Sequence, residues 1–193
     1  MKRRICLLVV SQMMAGTAAA DPYPFEGFFA LKAAGPAHAG CGFDILHQSR
    51  SGAFSGYILD RRHWEAHGTP RFVRYKHGTC TFDAATAIDN CVTDVNHISD
   101  ISEKPDRAKI TALDDNSVAM LTLGEEDDPE QLSGVPPFVF HRCPFDAAQI
   151  APLLSDTAAQ YSRTHLQGMA RARDIGVSVQ VLEAIRNRTT AVD

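Results

Sequence analysis

The chain has 193 residues, which is enough for one domain and too few for two of ordinary size. Its composition, with 45% hydrophobic and 22% charged residues, 13 glycines and 10 prolines, excludes collagen-like and coiled-coil chains and gives no support for global disorder. The formal net charge of −4 is mild and does not by itself indicate a partner.

The first 20 residues predict a cleavable secretory signal peptide. Lys2, Arg3 and Arg4 form a positive start, a short apolar stretch follows, and residues 18–20 are the small alanines that a signal peptidase accepts. The apolar stretch is too short for a transmembrane helix, which needs about 20 residues. The sequence therefore predicts a periplasmic or secreted protein.

Cleavage after Ala20 changes the charge balance of the chain. It removes three basic residues and no acidic ones, which leaves 16 basic against 23 acidic side chains and a net charge of −7. An acidic chain lacks the positive surface that phosphate contacts need, so we expect no nucleic-acid partner. No second hydrophobic span follows, so we expect a soluble product with no membrane span after cleavage.

Residues 25–143 contain short apolar runs separated by turn residues, a pattern that predicts β-strands. In chain order the predicted strands are residues 25–31, 41–47, 53–59, 72–77, 91–98, 108–113, 117–123 and 138–143. The clearest hairpin surrounds Asp114, Asp115 and Asn116, residue types that tolerate tight turns. Residues 60–70 predict a polar, histidine-rich connection. No strand–helix–strand alternation is present, so we expect an antiparallel meander or a small barrel-like sheet.

The hydrophobic period changes after residue 144. Ile150, Leu153, Leu154, Ala158 and Tyr161 recur at spacings of three and four, which predicts an amphipathic helix. Asp146 precedes it as a candidate cap. Residues 177–181 suit a strand or a helix equally well.

The predicted fold class is therefore mainly β with a C-terminal α-helical segment. We assign residues 1–20 to the signal peptide, 21–144 to a disulfide-tied antiparallel β domain, 145–188 to the helical segment and 189–193 to a frayed tail.

Four cysteines remain after cleavage, an even number that predicts disulfides in an oxidising compartment. They are Cys41, Cys80, Cys91 and Cys143. Three pairings are open. We favour Cys80 with Cys91, because residues 82–90 can turn back on themselves, and this leaves Cys41 with Cys143.

A metal site is the rival interpretation of these cysteines. His77 precedes Cys80 by three residues and His141 precedes Cys143 by two, so the four side chains could form a tetrahedral zinc or copper site. The spacing matches no zinc-finger pattern, and thiolate ligands compete with disulfides.

His63 and His67 are a second candidate pair of metal ligands. Four residues apart, they share one face of a helix, but the intervening Glu65 is not where either zinc-protease pattern requires it. The alternative metal site therefore draws on His63, His67, His77 and His141, with zinc or copper as the cofactor; otherwise we expect none.

Gly27, Phe28 and Phe29, followed by a strand meander and a helix, resemble the pattern of a lipocalin-type barrel. The tryptophan of that family's G-x-W motif is absent, so the resemblance implies a barrel-like fold and not membership of the family.

No catalytic motif is present: the sequence has no phosphate-binding loop, dinucleotide fingerprint or nucleophile elbow, and no catalytic residue is predicted. We therefore expect a non-enzymatic binding or accessory protein that recognises a small ligand or another exported protein. The alternative is a metal-binding protein or a metal-dependent hydrolase that uses the clustered histidines.

Overall fold

The computed structural model describes residues 23–31, 44–124, 136–144, 146–155 and 161–171. The predicted signal peptide, Cys41, residues 177–181 and the predicted tail lie outside these residues. Their predictions therefore stay predictions.

Eight antiparallel strands form a closed barrel. In chain order they are β1 (Gly27–Leu31), β2 (Asp44–Gln48), β3 (Ala53–Leu59), β4 (Phe72–Asp83), β5 (Ile88–Asn96), β6 (Asp106–Asp114), β7 (Ser117–Leu123) and β8 (Phe138–Arg142). Each strand pairs with the next one along the chain, and β8 returns to pair with β1. The predicted antiparallel meander is confirmed, and its form is a barrel.

The predicted hairpin around Asp114 joins β6 to β7. The side chain of Asp114 accepts hydrogen bonds from the backbone N–H of Asn116 (2.7 Å) and from the hydroxyl of Ser117 (2.6 Å). These bonds close the turn locally, as expected for an aspartate at this position.

The connection from β3 to β4 forms a helix, α1 (Arg61–His67), where the sequence predicted a polar connection. The Asp60 side chain accepts the backbone N–H of His63 (3.1 Å) and so caps the helix. The helix ends at Gly68, which adopts the left-handed conformation with φ of 64°.

The amphipathic helix predicted around residues 150–161 is wrong as a single element. The chain instead forms α2 (Ala147–Ile150), a 3₁₀ turn (Ala151–Leu153) and a short strand, β9 (Leu154–Ser155), that pairs in parallel with the start of β4. Pro152 explains the difference, because it has no backbone N–H to continue the helix and its ring clashes with the preceding turn. Asp146 does cap α2, with Gln149 completing a capping box.

The C-terminal part of the described chain packs on the outside of the barrel. A short helix, α3 (Arg163–Arg171), follows Tyr161. The buried side chains of this outer layer come from strands and C-terminal elements together: Phe28, Ala30, Ile45, Tyr57, Val73, Ile150, Leu153 and Leu166. Outward-facing apolar residues on the strands are thereby removed from water.

A buried cluster of hydrogen-bonded polar residues joins this layer to the barrel. Asp60 is only 1% exposed and accepts hydrogen bonds from the guanidinium of Arg71 and the hydroxyl of Tyr161. Burial by itself raises the pKa of Asp60, but its hydrogen bonds from Tyr161, Arg71 and the backbone of His63 outweigh that effect, so the pKa lies below its ordinary value. The charged carboxylate is thus the form that the fold stabilises.

Replacement of Asp60 should separate the charge of this cluster from its hydrogen bonds. We expect Asp60→Ala to lower the free energy of unfolding by about 3 kcal/mol, because Arg71 and Tyr161 lose their acceptor and α1 loses its cap. Asp60→Asn keeps an acceptor and a capping side chain, so its loss should be smaller. Urea denaturation of both variants checks this, and equal losses would contradict a role for hydrogen bonding.

Gly52, in the β2–β3 turn, is a position where only glycine fits. Its φ is +90°, and an added Cβ would collide with the carbonyl oxygen of Cys80, whose N–H donates to the Gly52 carbonyl (2.8 Å). We expect Gly52→Ala to destabilise the protein by about 2–4 kcal/mol. Gly68→Ala is the matched control, because Gly68 also has a positive φ but no atom near its added Cβ; it should cost about 1 kcal/mol in the same denaturation experiment.

Candidate binding cavity inside the barrel

Closure of the barrel separates two sets of side chains, because successive residues of a strand point to opposite faces. On β1, Phe28 and Ala30 belong to the outer layer, whereas Phe29 and Leu31 face the interior. On β2, Ile45 packs outside, whereas Leu46 and its alternate neighbours line the interior. The barrel therefore has an inner apolar surface distinct from the one that the C-terminal elements cover.

The inner surface lines a cavity of about 410 Å³ that is partly open to solvent. In the described part of the chain its walls are mainly apolar, with six aromatic rings, from Tyr23, Phe25, Phe29, Phe54, Tyr75 and Phe140. Tyr75 also packs against the outer layer. Aliphatic side chains fill the spaces between them: Leu31, Leu46, Ile110, Val118 and Met120. An apolar cavity with a few polar groups is the usual form of a small-molecule site.

The segment before β1 lies at one end of the cavity. The backbone N–H of Tyr23 donates to the carbonyl of Arg50 in the β2–β3 turn (3.1 Å). The ring of Phe25 packs between Tyr23 and Phe29, with centroid distances of 4.8 and 5.4 Å. This end of the cavity is therefore lined by aromatic rings from outside the strands as well as from β1.

The predicted Cys80–Cys91 disulfide is present and lines the cavity. The two cysteines are directly opposite each other on β4 and β5, and the four-residue connection between these strands makes the hairpin that the sequence predicted. Cys143 is also disulfide-bonded. Because its predicted partner, Cys41, lies outside the described residues, that pairing stays a prediction.

Asp89 is a buried carboxyl group in the cavity wall. It is 3% exposed, and one of its oxygens, Oδ2, accepts a hydrogen bond from the Tyr23 hydroxyl and lies 3.2 Å from Cys91 Sγ. The other oxygen, Oδ1, is buried and has no hydrogen-bond partner in the described part of the chain. Burial raises the pKa of Asp89, although hydrogen bonds from Tyr23 and the backbone N–H of Asn90 oppose this. Burial together with Asp89 raises the pKa of Tyr23.

The sequence carried one signal for Asp89, which the strand predictions missed. Asp89, Cys91 and Thr93 alternate along β5 and all line the cavity, so the two-residue period of the strand puts Asp89 on the face of the disulfide. The predicted strand began at Cys91, whereas β5 begins at Ile88, so Asp89 lay in the predicted turn.

A second set of polar residues lines the cavity near the starts of β2 and β4. The Tyr75 hydroxyl donates to Asp44 Oδ1 (3.2 Å), and Lys76 Nζ lies 5.5 Å from the centre of the Tyr75 ring. Asp106 also lines the cavity. No local sequence pattern groups these residues, because they come from three strands that meet only when the barrel closes.

The histidines of the predicted metal site lie on three different elements. His63 and His67 are together on α1, with ring centroids 4.5 Å apart, as their spacing predicted. His77 is on β4 beside Asp94 (3.8 Å), and His141 is on β8. Among the described residues, neither His77 nor His141 lies close enough to the α1 pair to form a group of metal ligands with it.

Within the described ranges, one group of three metal-ligating side chains lies within 4.8 Å: Cys80, Asp89 and Cys91. Its two sulfur atoms are joined to each other in the disulfide, so they are not available as thiolate ligands. This group therefore does not support the zinc or copper hypothesis.

The fold and its interior together define a class of protein: an up-and-down antiparallel barrel with an internal apolar cavity. The chain matches no protein-family model and no curated protein sequence. Among the described residues, no helix is both long and apolar enough to cross a membrane.

The raised pKa of Asp89 predicts a pH-dependent cost in stability. Because the folded carboxyl holds its proton to a higher pH than the unfolded one (ordinary value about 3.9), its contribution to stability falls as the pH rises above about 4. Asp89→Asn removes this term. We therefore expect the stability of the variant relative to the native protein to increase between about pH 4 and neutral pH, measured by urea denaturation.

Asp115→Asn is the matched control, since Asp115 is an exposed aspartate in the β6–β7 turn. The stability of this control variant relative to the native protein should not increase over the same pH range. A difference between Asp89→Asn and the native protein that stays flat across the pH range would contradict the raised pKa.

Proposed function

We propose that this protein is an exported, non-enzymatic binding protein that holds a small ligand in the cavity of its barrel. The cavity is the observation that carries the proposal. Its volume of about 410 Å³ falls within the range of roughly 300–1,000 Å³ that is usual for ligand pockets.

A space of this size is not expected of a core that serves stability alone. Protein interiors are close-packed, and voids larger than a water molecule are few, because an unfilled apolar space forfeits van der Waals contacts. Here the space lies at the centre of the barrel, between side chains of all eight strands and the segment before β1. A ligand with an apolar body would restore the missing contacts.

Export is supported by the cysteine chemistry and the predicted signal peptide. A disulfide such as Cys80–Cys91 persists in an oxidising compartment and is rare in the cytosol. Localisation in the periplasm or outside the cell therefore agrees with both features.

The other functions that the sequence allowed remain less supported predictions. Recognition of a protein partner would not need the cavity, and a metal-dependent activity would need the separated histidines of α1, β4 and β8 to act together.

Binding of a neutral apolar probe tests the proposal. N-phenyl-1-naphthylamine fluoresces when it leaves water, and we expect saturable binding to the native protein. Ala108→Phe places a phenyl ring in the cavity wall and should weaken binding at least about tenfold, which is about 1.4 kcal/mol. Fluorescence titration measures both affinities.

Thr111→Phe is the control variant. Thr111 is three residues further along the same strand, on its opposite face, and is exposed, so the added ring lies outside the cavity and should leave probe binding unchanged. Equal effects of the two variants, or no saturable binding to the native protein, would contradict the proposal.

A further inference from the structure

The charges around the cavity are unequal in number and in position. Among the described residues that line it are three aspartates, Asp44, Asp89 and Asp106, and one lysine, Lys76. Lys76 Nζ lies 5.5 Å from the centre of the Tyr75 ring, and the Tyr75 hydroxyl donates to Asp44, so the lysine is at the same end of the cavity as Asp44. The other two aspartates have no lysine or arginine among the cavity-lining residues of their own strands, β5 and β6.

Lys76 also lies far from Asp89 along the barrel. Asp89 pairs with Phe82 on β4, six residues beyond Lys76 on the same strand. At about 3.3 Å per residue, this separates the two backbone positions by roughly 20 Å. The part of the cavity near Asp89 is therefore acidic, with Asp106 opposite Cys91 as its neighbour.

Asp89 carries the argument beyond overall charge, because its hydrogen bonding is incomplete. The Tyr23 hydroxyl donates to Oδ2 and the backbone N–H of Asn90 also acts on the carboxyl, whereas Oδ1 is buried without a hydrogen-bond partner in the described structure. A buried carboxylate oxygen without a donor is costly, and an N–H donor that also carries a positive charge is its best partner. Among the described residues, no positively charged donor reaches Oδ1.

The aromatic rings of the wall favour the same kind of ligand. The face of an aromatic ring attracts a cation within about 6 Å of its centre, and the attraction increases when water is excluded. Tyr75 already holds Lys76 in this way. Tyr23 and Phe25 place further rings at the end of the cavity where Asp89 lies.

We propose that the ligand is an organic ammonium ion with a small apolar body, whose N–H group pairs with Asp89 while its body fills the aromatic part of the cavity. This inference depends on the proposed function, since it names the class of ligand for the same site. An anion would be repelled by the Asp89 carboxylate, and a neutral hydrocarbon would leave Oδ1 without a donor from the described residues.

Three naphthalene compounds of similar size test the charge preference. 2-Naphthylmethylammonium, 2-naphthalenemethanol and 2-naphthoate would each compete with N-phenyl-1-naphthylamine at neutral pH. We expect the ammonium ion to bind at least about tenfold more tightly than the alcohol, as for a hydrogen bond between charged groups, and the carboxylate to bind most weakly.

Asp89→Asn tests whether this residue carries the preference. The amide keeps the size of the side chain but removes the charge, so affinity for the ammonium ion should fall at least about tenfold, while affinity for the alcohol changes by less than about twofold. Asp94→Asn removes the same charge from the outer face of β5 and should leave both affinities unchanged.

Equal affinities for the ammonium ion and the alcohol, or tightest binding of the carboxylate, would overturn the inference. Retention of the ammonium preference in Asp89→Asn would overturn the role of that residue. If this variant does not fold, the ranking of the three compounds on the native protein still decides. Failure of the neutral probe itself to bind is a separate result, because it contradicts the proposed function and not only the choice of ligand.

Discussion

The pairing of β8 with β1 is the constraint on which the rest of the structure depends. It joins the last strand of the meander to the first through the pairs Phe29–Arg142, Ala30–His141 and Leu31–Phe140. Without it the eight strands would form a curved sheet with two unpaired edges, and its concave face would be open to solvent. Closure satisfies the backbone groups of both edges and makes the inner face a separate compartment. The cavity is therefore a consequence of this long-range pairing and not of any single strand.

Closure also explains why β1 is apolar at consecutive positions. Phe28 is buried under the C-terminal elements outside the barrel, and Phe29 is buried inside it, so both faces of this short strand are removed from water. The outer layer is completed by polar contacts, because Asp60 joins Arg71 on the barrel side to Tyr161 on the C-terminal side. At β1 the barrel wall thus has the packed outer layer on one side and the cavity on the other.

Much of the fold could be predicted from local patterns, because strands and turns leave local signals. The alternation along each strand, the Asp114 turn and the Cys80–Cys91 hairpin all depend on residues close in sequence. The prediction of a single C-terminal helix was wrong because the apolar period continues across Pro152. Proline has no backbone N–H to donate within a helix, so the helix ends before it although the apolar pattern continues. The site could not be predicted in the same way. Asp44, Asp89 and Asp106 lie on three strands, and no local pattern indicates that closure brings them to one cavity.

Two separate costs in stability coincide in the cavity of this barrel. As far as the described residues show, the cavity reduces packing and Asp89 Oδ1 lacks a hydrogen-bond partner. A leucine or phenylalanine at position 89 would lessen both costs, since it would fill space and remove the polar group. A core selected for stability alone has no reason to combine them. A bound molecule with an apolar body and a donor group removes both at once, so the same features that weaken the unliganded barrel are those that would make a ligand stabilise it.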